Sequence, residues 1–237
     1  MKTMFEHVHP EWRDMIHEAL KGVDPDYLEQ LKVTQTWLPG IHSLFAAFSL
    51  PLSSTKYVLL GESPYPRLQS ANGYAFWDAA VGSLWSQTGL SKAVNRATSL
   101  RNIIKMLLHA RGDLTCDFSQ AAIAKLDKSA YLQTANQLFS ALVRQGFLLL
   151  NASLVYSEDK VPYHARQWRP FMHSLLNQLA EYNPSLKMIL FGRIATQIVG
   201  SNHFPSLVAE HPYNISFITN PDVIAFFKSL DLIRVRS

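Results

Sequence analysis

At roughly 150 residues per domain, a chain of 237 residues holds one large domain or two small ones. Hydrophobic residues make up 48% and charged residues only 17%, against roughly 25% charged in an average soluble domain. Such a chain buries enough apolar surface to offset its ordering entropy, which excludes disorder. Lys+Arg 22 against Asp+Glu 18 leaves a formal charge of +4, compatible with a nucleic-acid partner without requiring one. The one cysteine, Cys116, excludes an intramolecular disulfide framework, a multi-cysteine zinc site and a four-cysteine iron–sulfur cluster.

The first twelve residues carry Glu6 and Glu11 and lack the apolar core of a secretory signal. No apolar run approaches the ~18 residues that span a bilayer. The expectation is a cytoplasmic protein with no membrane partner. Helices are expected around residues 10–20, 25–31 and 41–48. Residues 56–61 (KYVLLG) form the first short apolar run, suited to a buried parallel strand. In 99–110, Leu100, Ile103, Ile104, Leu107 and Leu108 make an amphipathic helical stripe. A second helix is expected over 129–145, stopped by Gly146, and a strand over 146–151 (GFLLLN). A third helix follows over 169–182, then strands over 187–192 (KMILFG) and 206–211 (SLVAEH). The last helix is expected over 222–232, capped by Asp222 after Pro221.

Strands separated by helices predict a three-layer α/β/α sandwich with a central four-stranded parallel sheet, a single domain over residues 1–237. In such sheets the ligand lies beyond the carboxyl ends of the strands. That rule selects Glu62, Ser63, Pro64 and Tyr65 after the first strand, Asn151 at the end of the second, Gly192 and Arg193 after the third, and His211 and Pro212 after the fourth.

The same segments carry a resemblance. Residues 57–78, YVLLGESPYPRLQSANGYAFWD, resemble the first motif of family-1 uracil-DNA glycosylases, a strand followed by G-Q-D-P-Y and then G-x-A-F. TSLRNIIKML (98–107) is similar to the family's P-S-L-x-N-I helix, GFLLLNASL (146–154) to its L-L-L-N strand, and HARQWRPF (164–171) to its H-x-x-x-W-x-x-F segment. His211-Pro212 matches the start of its H-P-S loop. The resemblance spans nearly the whole chain in the family's order.

It implies a metal-free, cofactor-free enzyme, expected to be a monomer, that extrudes a damaged base from DNA and hydrolyses its N-glycosidic bond. His211 matches the histidine that donates to the departing base, and Asn151 the amide that reads uracil. Phe76 matches the ring that stacks on the base, and Tyr65 the residue that excludes a thymine methyl. Ile215 falls where an apolar wedge fills the vacated stack. Pro64, Arg67, Gly192, Arg193 and Pro212 lie in segments that face DNA in the family.

The family's catalytic aspartate is Ser63 here, and the preceding glutamine is Glu62, which becomes the candidate for water activation and cation stabilisation. Other branches of the superfamily have G-E-A-P-G at this place. Several of those bind an iron–sulfur cluster, which one cysteine cannot hold. The DNA-pinching loop after Phe76 is replaced by WDAAVGSLWSQTGLSKAVNRA. Two alternatives to uracil excision stay open from the sequence: a glycosylase of the same fold for another base such as hypoxanthine, and a DNA-binding module without the chemistry.

Overall fold

The computed structural model describes residues 2–34, 36–193 and 203–235. The chain enters through 3₁₀ turns and two helices, α1 (Arg13–Leu20) and α2 (Pro25–Thr34), and reaches strand β1 (Tyr57–Gly61). A two-stranded hairpin of β2 (Trp85–Ser86) and β3 (Gly89–Leu90) precedes the short α3 (Lys92–Arg96) and the long α4 (Thr98–Arg111). Then come α5 (Gln120–Ala124), α6 (Ala135–Arg144), β4 (Phe147–Asn151), α7 (Val161–Tyr182), β5 (Lys187–Phe191), β6 (Ser206–Ala209) and α8 (Pro221–Lys228).

The four expected strands form one parallel sheet in the order β4-β1-β5-β6. Their near-continuous apolar character follows from burial on both faces. Successive side chains point to opposite sides of a strand, so Val58 and Leu60, Leu148 and Leu150, and Met188 and Leu190 enter one core. Leu59, Phe147, Leu149, Ile189 and Phe191 enter the other. The first core is closed by α1, α2 and α7 around Trp12, Tyr27, Trp168 and Phe171. The second is closed by α4, α6 and α8. This is the expected three-layer sandwich. Among the described residues, no helix is long and apolar enough to cross a membrane.

Helices depart from the expectation at several places; the one expected over 41–48 is two 3₁₀ turns, Ile41–Ser43 and Ala46–Ser49, and the last ends at Lys228 rather than at 232. The helix expected from residue 129 begins at Ala135, because Thr134 caps it with a reciprocal Gln137 bond, while Tyr131 pairs with Arg234 instead. The helix expected from 169 begins eight residues earlier, at Val161, with Pro162 in its first turn. It runs through Pro170, whose missing N–H falls on an exposed face of the helix. In α8 the cap is Asn220, whose side chain accepts from the Asp222 and Val223 N–H groups, and not Asp222, because Pro221 already occupies the first helical position.

Because α7 supplies much of one core, Leu176→Ala, at a fully buried position, is expected to lower the unfolding free energy by about 2–5 kcal/mol. Denaturant unfolding of the two proteins checks this.

Candidate active site

In strand order the chain moves from β1 outward to β4 and then back across to β5, so the order reverses between β1 and β5. The carboxyl ends beside that reversal make a crevice. It is a cavity of about 230 Å³ lined by Gly61, Glu62, Ser63, Pro64, Tyr65, Pro66, Phe76, Ser99, Asn151 and His211. At about 30 Å³ per water, it holds a single-ring heterocycle or several waters.

Asn151 ends β4 directly opposite Gly61 of β1. A Cβ at position 61 would lie 2.6 Å from Asn151 Oδ1, so the amide leans over the end of β1 only because residue 61 is glycine. Asn151 is 3% exposed, and its side-chain amide has no hydrogen-bond partner among the described residues. The amide lines the cavity and can both donate and accept there.

The loop after β1 is tied to the chain after β4: the Ala152 N–H donates to the Gly61 carbonyl (2.8 Å) and the Ser153 N–H to the Glu62 carbonyl (2.9 Å). These bonds leave the Glu62 and Ser63 side chains at the mouth. Phe76 sits in the left-handed region, φ 62°, unusual for an aromatic and found where the surroundings over-determine the backbone. Two bonds do so here, the Ala75 N–H to the Leu149 carbonyl (3.0 Å) and the Tyr65 hydroxyl to the Phe76 carbonyl (3.3 Å). Burial pushes the Tyr65 phenol up to about 12, so it stays a neutral donor.

His211 follows β6 and lies 5.9 Å from the Phe76 ring, centroid to centroid. Its Nδ1 accepts the Tyr213 N–H at 3.1 Å, which in a neutral ring leaves the proton on Nε2. Burial lowers its pKa below the ordinary imidazole value, and the neighbouring Glu62 charge opposes that shift. The ring is therefore a neutral donor at physiological pH. Gly192, at φ 74°, backs it: a Cβ there would stand 2.9 Å from His211 Cβ.

The remaining candidates divide by exposure. Pro64 is buried in the cavity wall, and Pro212 is buried with its carbonyl bonded to Asn102 Nδ2 at 2.8 Å. Tyr213 and Ile215 project from the same turn, 68% and 80% exposed. Arg193 is exposed. The Arg67 guanidinium pairs with buried Asp78 at 2.8 Å. His164 does not line the cavity; it bridges the Tyr27 hydroxyl (2.7 Å) and Ser157 (3.1 Å). Among the described residues, no group of three or more His, Cys, Asp or Glu is placed to hold a metal ion.

Sequence reasoning missed Ser99 and Asp78. Ser99 lines the cavity from the first turn of α4, and the Thr-Ser pair heading the apolar stripe was its signal. Asp78 had none, since its ion pair is set by the path of the loop.

A model of the uracil DNA glycosylase superfamily matches residues 49–230. A crystal structure of the wild-type UNG of Nitratifractor salsuginis is 39% identical and superposes with a TM-score of 0.93, over 98% of this chain and 96% of that one. A uracil-DNA glycosylase of Helicobacter pylori is 29% identical over 215 residues, covering 86% of this chain and 83% of the relative. The mimivirus uracil-DNA glycosylase, 19% identical with a TM-score of 0.57 over 88% of this chain and 71% of that one, shares the fold.

The Arg67–Asp78 pair makes a structural claim of its own. Arg67→Ala strips a buried carboxylate of its cation and leaves it the Ala80 N–H at 3.0 Å. Since the guanidinium is more than half exposed, the expected loss is about 1–2 kcal/mol. Thermal melting should show it, with most of the loss recovered when Asp78→Asn is added.

Proposed function

The chain belongs to the uracil-DNA glycosylase superfamily, and from that premise we propose that it removes uracil from DNA by hydrolysing the N-glycosidic bond, with the base everted into the cavity at the strand ends. It acts as one domain over residues 1–237, as a monomer, in the cell interior. The observation that carries the reading is the Asn151 amide, buried at the end of β4 and lining the cavity. Uracil offers an acceptor at O4 beside a donor at N3. An amide that gives its NH₂ to O4 and takes N3–H with its oxygen satisfies both, and cytosine reverses the pattern. Phe76 stacks on the ring, Tyr65 stands where a 5-methyl group would project, and Ile215 enters the gap left in the duplex.

In the chemical step the C1′–N1 bond breaks with its electron pair passing to the pyrimidine, where charge gathers on O2. With Nδ1 taken by the Tyr213 N–H, the Nε2–H of neutral His211 donates to that oxygen in this reading, a donor matched to charge that exists only as the bond breaks. On the sugar side, cationic character at C1′ calls for a negative group and an activated water. Ser63 has no charge to offer. Glu62, close enough to act on His211 electrostatically, is the carboxylate that orients the water, accepts its proton as the oxygen bonds to C1′, and opposes the developing cation. The cavity lining contains no lysine among the described residues, in keeping with water as the nucleophile.

Oligonucleotides carrying uracil, hypoxanthine or only normal bases test the reading directly. Abasic product is expected from uracil alone, and binding without product would overturn it. Glu62→Gln is expected to slow excision on the order of 10²-fold, and Ser63→Asp to raise it; no change in either removes the assignment of Glu62. The rate should hold flat through neutral pH and fall on the acid side of the ordinary imidazole value of 6.5, because protonation of His211 is disfavoured. Glu62→Gln should move that acid limb lower still, since the carboxylate raises the His211 pKa. Asn151→Asp should lose uracil excision and gain release of cytosine, whose exposed amine suits a carboxylate; unchanged selectivity would sink the reader role.

A further inference from the structure

Asn102 interrupts an otherwise apolar face of α4. Leu100, Ile104, Leu107 and Leu108 enter the core, and so does residue 102, 2% exposed, where an aliphatic side chain would be the cheaper occupant. Its amide is fully used. Nδ2 faces the carbonyls of Pro212 at 2.8 Å, Asn214 at 3.3 Å and Tyr213 at 3.4 Å. On the other side Oδ1 accepts from Arg101 Nε at 3.4 Å, and Arg101 also donates to the Asn95 carbonyl at 3.0 Å. The orientation of the amide follows from chemistry: carbonyls can only accept and a guanidinium can only donate, so the NH₂ must face the turn.

That turn is where His211 acquires its tautomer. The Asn214 N–H donates to the His211 carbonyl at 2.9 Å, closing residues 211–214 into a tight loop. The Tyr213 N–H inside this loop is the donor to His211 Nδ1. The carbonyls on either side of that N–H, those of Pro212 and Tyr213, are two of the three that Asn102 holds. If the peptide swung away, Nδ1 would lose its donor and the two neutral forms of the ring would compete. The wrong form turns a lone pair on Nε2 toward an oxygen that is becoming negative.

We propose that Asn102 is a positioning residue for the reaction: by gripping the 212–214 carbonyls it keeps the Tyr213 N–H on His211 Nδ1, and so keeps the His211 proton on Nε2. The role of His211 rests on the glycosylase reading; the strut itself does not.

The test compares three variants. Asn102→Asp is isosteric but turns lone pairs toward three carbonyls. Asn102→Ser, neutral and shorter, withdraws the donor and stands in should the aspartate variant not fold. Ile104→Ala, at a fully buried position on the same helix, lowers stability and leaves the Asn102 hydrogen bonds to the turn in place. On single-stranded uracil substrate, where no wedge is needed, both Asn102 variants are expected to lose on the order of 10- to 100-fold in single-turnover rate at saturation, with much less change in half-saturating concentration. Ile104→Ala, assayed while folded, should stay within about twofold of the parent, because stability lost elsewhere leaves the site intact. ¹⁵N NMR of the His211 ring, in buffer well above the imidazole range, should show protonated Nε2 in the parent and mixed forms in the Asn102 variants. Rates that track Ile104→Ala, or ring signals that do not change, overturn the proposal. Should the parent release no uracil, the functional reading fails, and the ring measurement, made without substrate, still decides the strut.

Discussion

Residue 61 has no side chain, and the recognition end of the cavity depends on that. In the register of β1 with β4, Gly61 lies opposite Asn151, and a Cβ there would meet both Asn151 Oδ1 and, at 3.0 Å, Ala75 Cβ. The same device recurs across the sheet, where Gly192 lies beneath the His211 Cβ. The order β4-β1-β5-β6 explains the pairing. The two outer strands lead into polar side chains, Asn151 and His211, and the two inner strands lead into glycines over which those side chains lean. A parallel sheet whose strand ends carried four ordinary side chains would close on itself; this one leaves a slot.

The electrostatics divide along the same line. On the His211 side burial dominates and the ring stays neutral, a donor without a full positive charge. On the Glu62 side the carboxylate is exposed at the mouth, where holding it in one place costs side-chain entropy. A carboxylate at position 63 would be held by a shorter arm. In the proposed reading, Glu62 trades that rigidity for reach. Arg67, expected to face DNA, is bound to Asp78, and the loop from Trp77 to Ala97 folds as a hairpin and a short helix.

The strands were legible because each carries four or so consecutive apolar residues, a pattern that burial on both faces demands and little else produces. Helix interiors were legible from their stripes, and helix starts were not. Thr134 and Gln137 outcompete the apolar Tyr131 for the first turn of α6 through a reciprocal cap, and the helix expected from residue 169 begins at Val161, with Pro170 inside it. Most residues lining the cavity were legible, Glu62, Ser63, Pro64, Tyr65, Asn151 and His211 as strand ends and Phe76 through the resemblance. Ser99, Asp78 and the grip of Asn102 were not, because their partners lie on segments that approach only once the layers have closed.

The sequence by itself determined the layers, the strands and the short list of side chains available at their ends, because hydrophobic period and chain order are local properties. Which of those side chains meet was decided by tertiary structure alone. The tautomer of His211 depends on a peptide two residues away, gripped by a helix 110 residues earlier in the chain. The freedom of Asn151 depends on a missing Cβ in a neighbouring strand. Hydrogen-bond direction and close approach are fixed by neighbours in space, and a linear pattern carries no information about them until register and strand order are set.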